Sequence, residues 1–184
     1  MLNVSRSRPD PIEWVPAERL GSREVDASLR PWLIGQGWLT QRLRERFRER
    51  FDWRAADPWT SLLSAEERSF LGSRDPAGLV REEWLRVDGH DWALCRAVLP
   101  DSTLTIHPWL AELGESSLPE MLAQLAGVTR DPYEYARLTD DAPLARAALG
   151  ARTPEGLWAR RTRLRLRGAP LALQEVFLPA AGGG

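Results

Sequence analysis

The chain has 184 residues, 43% of them hydrophobic, which is enough for one sizeable core, and one domain is expected. Its formal net charge is −1, so no overall basic field draws it to nucleic acid or to an anionic membrane surface. Every basic residue is arginine, which excludes Schiff-base chemistry and a lysine general base, and Cys95, His90 and His107 are too few for an intramolecular disulfide or a zinc site of the usual kind.

Residues 1–30 are rich in Pro, Arg and Ser and are expected to wrap over the domain with little regular structure, anchored by Trp14. No signal-peptide core opens the chain and no run of about 18 apolar residues occurs, so a cytoplasmic protein without stable membrane insertion is expected. SLRPWLIG predicts a short helix. Gly35-Gln36-Gly37 interrupts it, and Trp38, Leu39, Arg42, Leu43 and Phe47 then recur at helical spacing. A glycine-flanked break of this kind suits either a tight corner or a movable flap. Residues 48–54, with Phe51 and Trp53 alternating, read as a strand. Ser64, followed by Glu66 and Glu67, caps a short helix that ends near Gly72.

VREEWLRVDGHDWALCRAVLP is the clearest hairpin, turning at Asp88-Gly89. Arg81, Glu83, Leu85 and Val87 share one face of its first strand. In the second, Trp92, Leu94, Arg96 and Val98 oppose Ala93, Cys95, Ala97 and Leu99, a run of small residues that leaves room for close packing or a ligand. Cys95 reads as a small buried hydrophobe, since no histidine is evidently placed to activate it. Ser117 and Glu120 form a capping-box pattern in front of Leu118, Met121, Leu122 and Leu125. Leu118 is then the first helical residue, its N–H free of intrahelical partners and favouring an anion. A short amphipathic helix is expected around residues 144–149.

The final segment, LWARRTRLRLRGAPLALQEVFLP, reads as a second antiparallel hairpin with its turn at Gly168-Ala169-Pro170. Arg161, Arg163 and Arg165 line one face of its first strand, and Thr162, Leu164 and Leu166 the other. In its second strand Leu171, Leu173, Glu175 and Phe177 share a face. A carboxylate between Leu173 and Phe177 must be paired, protonated or facing a cavity, the candidate partners being Arg81 or a neighbour such as Arg165.

Two hairpins separated by helices, without βαβ alternation or a glycine-rich phosphate loop, predict an α+β fold with an antiparallel sheet and no nucleotide cofactor. The anion-binding candidates are Arg81, the Leu118 amide and Glu175.

The ordered blocks WLIGQGWLTQRL, VREEWLRVDGHDW, RAVLPDSTL, LAELGESSL, VTRD and LWARRTRLRLRGAPLALQEVFLPA, from Pro31 to Ala180, resemble the chorismate pyruvate-lyase family. The resemblance implies one domain over residues 31–180, followed by a flexible tail at 181–184. It also implies an antiparallel sheet of about six strands, with a buried ligand site under helical flaps. The implied activity eliminates pyruvate from chorismate to give 4-hydroxybenzoate for ubiquinone synthesis, with product inhibition. No metal or cofactor is expected, and the expected assembly is a monomer. Family positions carry over to Arg81 and Glu175 as catalytic residues, and to Leu39, Arg81, Leu118 and Glu175 as substrate- or product-binding residues, Leu39 and Leu118 through their main chain. Arg81 suits a bidentate carboxylate contact, and Glu175 suits a hydrogen bond to the hydroxyl or ether oxygen, or the part of general acid. A similar fold serves as the effector domain of bacterial transcription regulators, and a non-catalytic ligand-binding domain is the alternative. The roughly 30 residues before the resemblance leave no room for a winged-helix domain in that case.

Overall fold

The computed structural model describes residues 12–21, 25–150 and 156–182. Among them nine strands form a single sheet. In chain order the elements are β1 (Val15–Pro16), α1 (Arg30–Ile34), α2 (Leu39–Phe47), β2 (Phe51–Ala55), β3 (Trp59–Leu62), α3 (Ala65–Leu71), β4 (Ala77–Val87), β5 (His90–Pro100), α4 (Asp101–Ile106), α5 (Leu118–Gln124), β6 (Val128–Arg130), β7 (Glu134–Leu138), α6 (Pro143–Leu149), β8 (Leu157–Leu166) and β9 (Ala169–Phe177). The main path runs β1-β7-β8-β9-β5-β4-β2, with β3 beside β4 and β6 beside β8. Every pairing is antiparallel. The α+β class therefore holds, and the strands beyond the expected six include very short ones, β1, β3 and β6.

Both hairpins form. Asp88 and Gly89 take positive φ angles of 51° and 76°, as a tight two-residue turn requires. The second turn lies at Arg167-Gly168, with φ of 50° and 92°, and Ala169 and Pro170 already belong to β9. The expected turn at Gly168-Ala169-Pro170 is thus displaced, because the αL pair carries the reversal. Likewise the strand expected over 48–54 begins only at Phe51: Arg48 closes α2 at φ 52° and Arg48–Arg50 forms a 3-10 turn.

Period-two alternation divides the core between the two faces of the sheet. On the inner face α1, α2 and α5 bury Leu33, Leu39, Leu43, Leu118 and Leu122 against Leu85, Leu164, Leu173 and Phe177. On the outer face α3 and α6 bury Leu71, Leu144 and Ala148 against Val98, Ala172, Leu94 and Val176. Trp14 packs against the outer core with the Arg161 guanidinium 4.5 Å from its ring. No helix among the described residues is long and apolar enough to cross a membrane.

Candidate active site

Strand register brings the chemistry to the inner face. One row across β4, β5, β9 and β8 reads Glu83, Cys95, Glu175, Arg160, and the next reads Arg81, Ala97, Leu173, Thr162. The small side chains of Cys95 and Ala97 separate the flanking charged residues. Arg81, Glu83, Glu175 and Arg160 are all at most 2% exposed, so each charge must find its compensation inside the protein or in a ligand.

Arg81 is only half satisfied. Its Nη2 donates to the Gly114 carbonyl at 2.8 Å and the Ser116 carbonyl at 3.2 Å, bracing the loop that enters α5. Its Nε and Nη1 are buried without a hydrogen-bond partner. A buried guanidinium with two free donors is what an incoming carboxylate would satisfy.

Leu118 is the first residue of α5, as expected, but its amide is not an open donor. It donates to Glu83 Oε1 at 2.7 Å, and Ser117 Oγ donates to Glu83 Oε2 at 2.7 Å. The cause is alternation on β4, which sets Glu83 on the face of Arg81 and under the N-terminus of α5. Burial pushes the Glu83 carboxyl above the ordinary range, against the opposing pull of the Leu118 amide, the Ser117 hydroxyl and Arg81. The capping box is only half built: Ser117 accepts weakly from the Glu120 amide at 3.5 Å, while the Glu120 carboxylate turns to Arg44 of α2.

Glu175 is paired, and its partner is Arg160 rather than Arg81 or Arg165; Arg165 binds Asp131 at 2.6 Å instead. The displaced turn is the reason. A two-residue turn at Arg167-Gly168 sets Arg160 directly opposite Glu175 on the inner face, whereas Arg165 faces outward opposite Pro170. Arg160 Nη1 also donates to the carbonyls of Trp32, Leu33 and Gly35, at 3.1, 3.0 and 2.7 Å, and the guanidinium lies 4.2 Å from the Tyr133 ring. Burial alone would lower the Arg160 pKa, and the Glu175 carboxylate together with Tyr133 and Tyr135 outweighs that, leaving it raised. Its Nη2 has no hydrogen-bond partner. Sequence reasoning missed Arg160, although its parity with Thr162 and Leu164 was the available signal.

Leu39 opens α2, 1% exposed, next to Thr40, whose Oγ1 is buried and unpartnered. A groove of about 280 Å³ between α2 and α5 is lined by Thr40, Gln41, Arg44, Glu120, Ala123 and Gln124, and the Arg44–Glu120 ion pair lies in it. The break at 35–37 is a bound corner. Arg42 donates to the carbonyls of Pro31 and Trp32, while Gly37 O accepts from Arg130 Nη1 at 2.8 Å and from the Tyr133 hydroxyl at 3.2 Å. Cys95 is buried, with its thiol pushed well up by burial and then by Glu175 and Glu83, so it is no thiolate nucleophile. Among the described residues no cluster of three or more His, Cys, Asp or Glu side chains is arranged to hold a metal ion.

Comparison with known proteins adds a family. Residues 9–181 match the family model described as Chorismate lyase. A probable chorismate pyruvate-lyase of Thiobacillus denitrificans is 38% identical, covering 85% of this chain and 86% of its own. A chorismate pyruvate-lyase of Salmonella arizonae is 32% identical over the same shares. Among solved structures, the C-terminal domain of the histidine utilization repressor from Pseudomonas syringae superposes with a TM-score of 0.57 at 12% identity, covering 72% of this chain and 94% of its own. That last likeness is one of fold.

Proposed function

This chain belongs to the chorismate lyase family, and we propose that it eliminates pyruvate from chorismate to release 4-hydroxybenzoate. The observation that carries the reading is Arg81, a buried cation with two free donors on the same sheet face as Glu175. In the reaction the ether bond at C3 of the ring breaks, C4 loses its hydrogen, and the enolpyruvyl fragment takes up a proton to leave as pyruvate. Aromatisation of the ring supplies the driving force, so the protein has to position and polarise.

In this reading Arg81 receives the ring carboxylate on Nη1, a charge-assisted contact worth roughly 1.5 to 3 kcal/mol. Leu118 and Glu83 lie beside that carboxylate, and the Leu118 amide becomes available to it as Glu83 gives way. Glu175, held by Arg160, accepts the hydrogen bond of the C4 hydroxyl. To act as general acid on the ether oxygen it would first have to take up a proton. Leu39 contributes its main chain at the start of α2, where the first helical N–H groups lack intrahelical partners. We assign the product to ubiquinone synthesis in the cytoplasm and expect it to inhibit.

The test is incubation of purified protein with chorismate in EDTA, following pyruvate with lactate dehydrogenase and 4-hydroxybenzoate by chromatography. Equimolar appearance of both is expected. Tight binding of 4-hydroxybenzoate without turnover would overturn the reading in favour of a ligand-binding domain.

A further inference from the structure

Chorismate carries two carboxylates, and Arg81 accounts for one. A second buried anion needs its own partner, since a desolvated, uncompensated carboxylate is too costly to bind. Arg81 lies on β4 and Arg160 on β8, with β5 and β9 between them, so the two residues stand three strand spacings and one row apart on the same face, roughly 16 Å between their backbones. Cys95 and Ala97 form the low ground between them. Arg160 is 0% exposed, and Nη2 is its one unpartnered nitrogen: Nε serves Glu175 and Nη1 serves the carbonyls at the end of α1.

The electrostatic balance around Arg160 also asks for an anion. Arg42 is close enough for Arg160 to add to the lowering of its pKa that burial begins, and Tyr133 feels both Arg130 and Arg160. Against these three guanidinium groups stands Glu175, with Glu45 further out on exposed α2. The Arg81 end is different, for Glu83 already faces Arg81 there.

We propose that Arg160 Nη2 holds the enolpyruvyl carboxylate of the substrate while Arg81 holds the ring carboxylate, so that two buried arginines select a two-anion substrate over the single-anion product. The inference rests on the chorismate reading and goes beyond it. It assigns Arg160 a substrate contact in addition to its hold on Glu175 and α1. When the ether bond breaks, the carboxylate on Arg160 departs with pyruvate and 4-hydroxybenzoate keeps only the Arg81 anchor.

The test uses two stable aromatic probes, the dianionic 3-(carboxymethoxy)-4-hydroxybenzoate and its monoanionic amide isostere 3-(carbamoylmethoxy)-4-hydroxybenzoate, titrated calorimetrically into wild type, Arg160→Lys and Arg130→Lys. Wild type should prefer the acid by about tenfold or more, the worth of one charge-assisted pair. In Arg160→Lys the ammonium stays with Glu175 and has no fork to offer, so that preference should fall about tenfold, with 4-hydroxybenzoate weakened no more than about threefold. A merely structural Arg160 would weaken acid, amide and product alike, and that outcome overturns the proposal, as does a preference lost in Arg130→Lys alone. Should Arg160→Lys fail to fold, a crystal structure of wild type with the acid probe decides: its side-chain carboxylate must lie within hydrogen-bonding distance of Arg160 Nη2, and any other location refutes the assignment. Pyruvate release by wild type without any acid preference would sink this inference and spare the proposed reaction. Absence of pyruvate release would sink the reaction itself.

Discussion

Glu83 Oε1 accepts the main-chain hydrogen of Leu118 at 2.7 Å, so the protein's own carboxylate already occupies the first amide of α5, beside the arginine that would anchor a ligand carboxylate. Two carboxylates cannot share that corner as anions without cost. Burial has already raised the Glu83 pKa, and an arriving ligand carboxylate raises it further, so binding should take up a proton. The affinity for 4-hydroxybenzoate should therefore strengthen as pH falls through the raised Glu83 titration, and Glu83→Gln should flatten that dependence. Isothermal titration in buffers of different ionisation enthalpy reads the proton directly; a zero proton count in wild type would remove Glu83 from the linkage.

The same raised pKa carries a stability consequence of definite sign. A carboxyl whose folded pKa exceeds its unfolded one contributes fully below the unfolded value and loses that contribution as pH rises through the folded value. Ionised Glu83 is thus a burden at neutral pH. Glu83→Gln keeps the shape and an acceptor for Leu118, and it should raise Tm near pH 7 while changing it little near pH 4. A lower Tm at both pH values would mean that the ionised carboxylate, with its bonds to Ser117 and Leu118, stabilises the fold.

Arg81→Ala should abolish most turnover and weaken 4-hydroxybenzoate by about tenfold or more, through loss of the charge-assisted contact. Arg81→Lys should recover only part, because a compact ammonium cannot serve the ligand and the Gly114 and Ser116 carbonyls at once. Product titration of both variants, with Tm as the control for the loop before α5, checks this. Wild-type product affinity in Arg81→Ala would leave Arg81 a purely structural brace.

Arg44 and Glu120 tie α2 to α5 across the groove that touches Thr40. Their side chains are 48% and 23% exposed, so the tie is worth no more than about 1 kcal/mol. That suffices to alter an exit rate severalfold. If release of product limits turnover, rapid-quench measurements should show a burst of 4-hydroxybenzoate, and Arg44→Ala should shrink the burst and raise the steady-state rate by up to about fivefold. A linear course from the first turnover would place the slow step at or before chemistry.

Much of this arrangement was legible in the residues. Asp88-Gly89 announces its turn, and alternation puts Arg81 and Glu83 on one face of β4 and Cys95 and Ala97 on one face of β5; what brings the two pairs to the same side is a register shift between Leu85 and Arg86, which no residue pattern announced. Glu175 stood out because a carboxylate between Leu173 and Phe177 needs a partner. The identity of that partner was not legible. Gly168-Ala169-Pro170 has the composition of a turn, while the reversal is carried by Arg167 in an αL conformation that few non-glycine residues adopt, and moving a turn changes every cross-strand pair. The bond from Leu118 to Glu83 was hidden for another reason: it joins residues 35 apart, through a loop whose path no local pattern dictates.

Glu175→Gln separates two parts that the carboxylate could play. The amide keeps the shape and an acceptor oxygen towards Arg160 while removing acidity and charge. If Glu175 must deliver a proton to the departing enolpyruvyl oxygen, the rate should fall by about 10²-fold or more. The ion pair with Arg160 argues for the other outcome, because a carboxylate held by a guanidinium is an acceptor and orients the C4 hydroxyl rather than protonating the ether. We therefore expect a loss nearer tenfold in kcat, with 4-hydroxybenzoate affinity surviving far better than in Arg81→Ala. Glu175→Ala should be worse than Glu175→Gln, since it leaves Arg160 without its one carboxylate partner at 0% exposure. Full rate and full product affinity in both variants would strike Glu175 from the site and leave its pair with Arg160 as a fastener of α1 to the sheet.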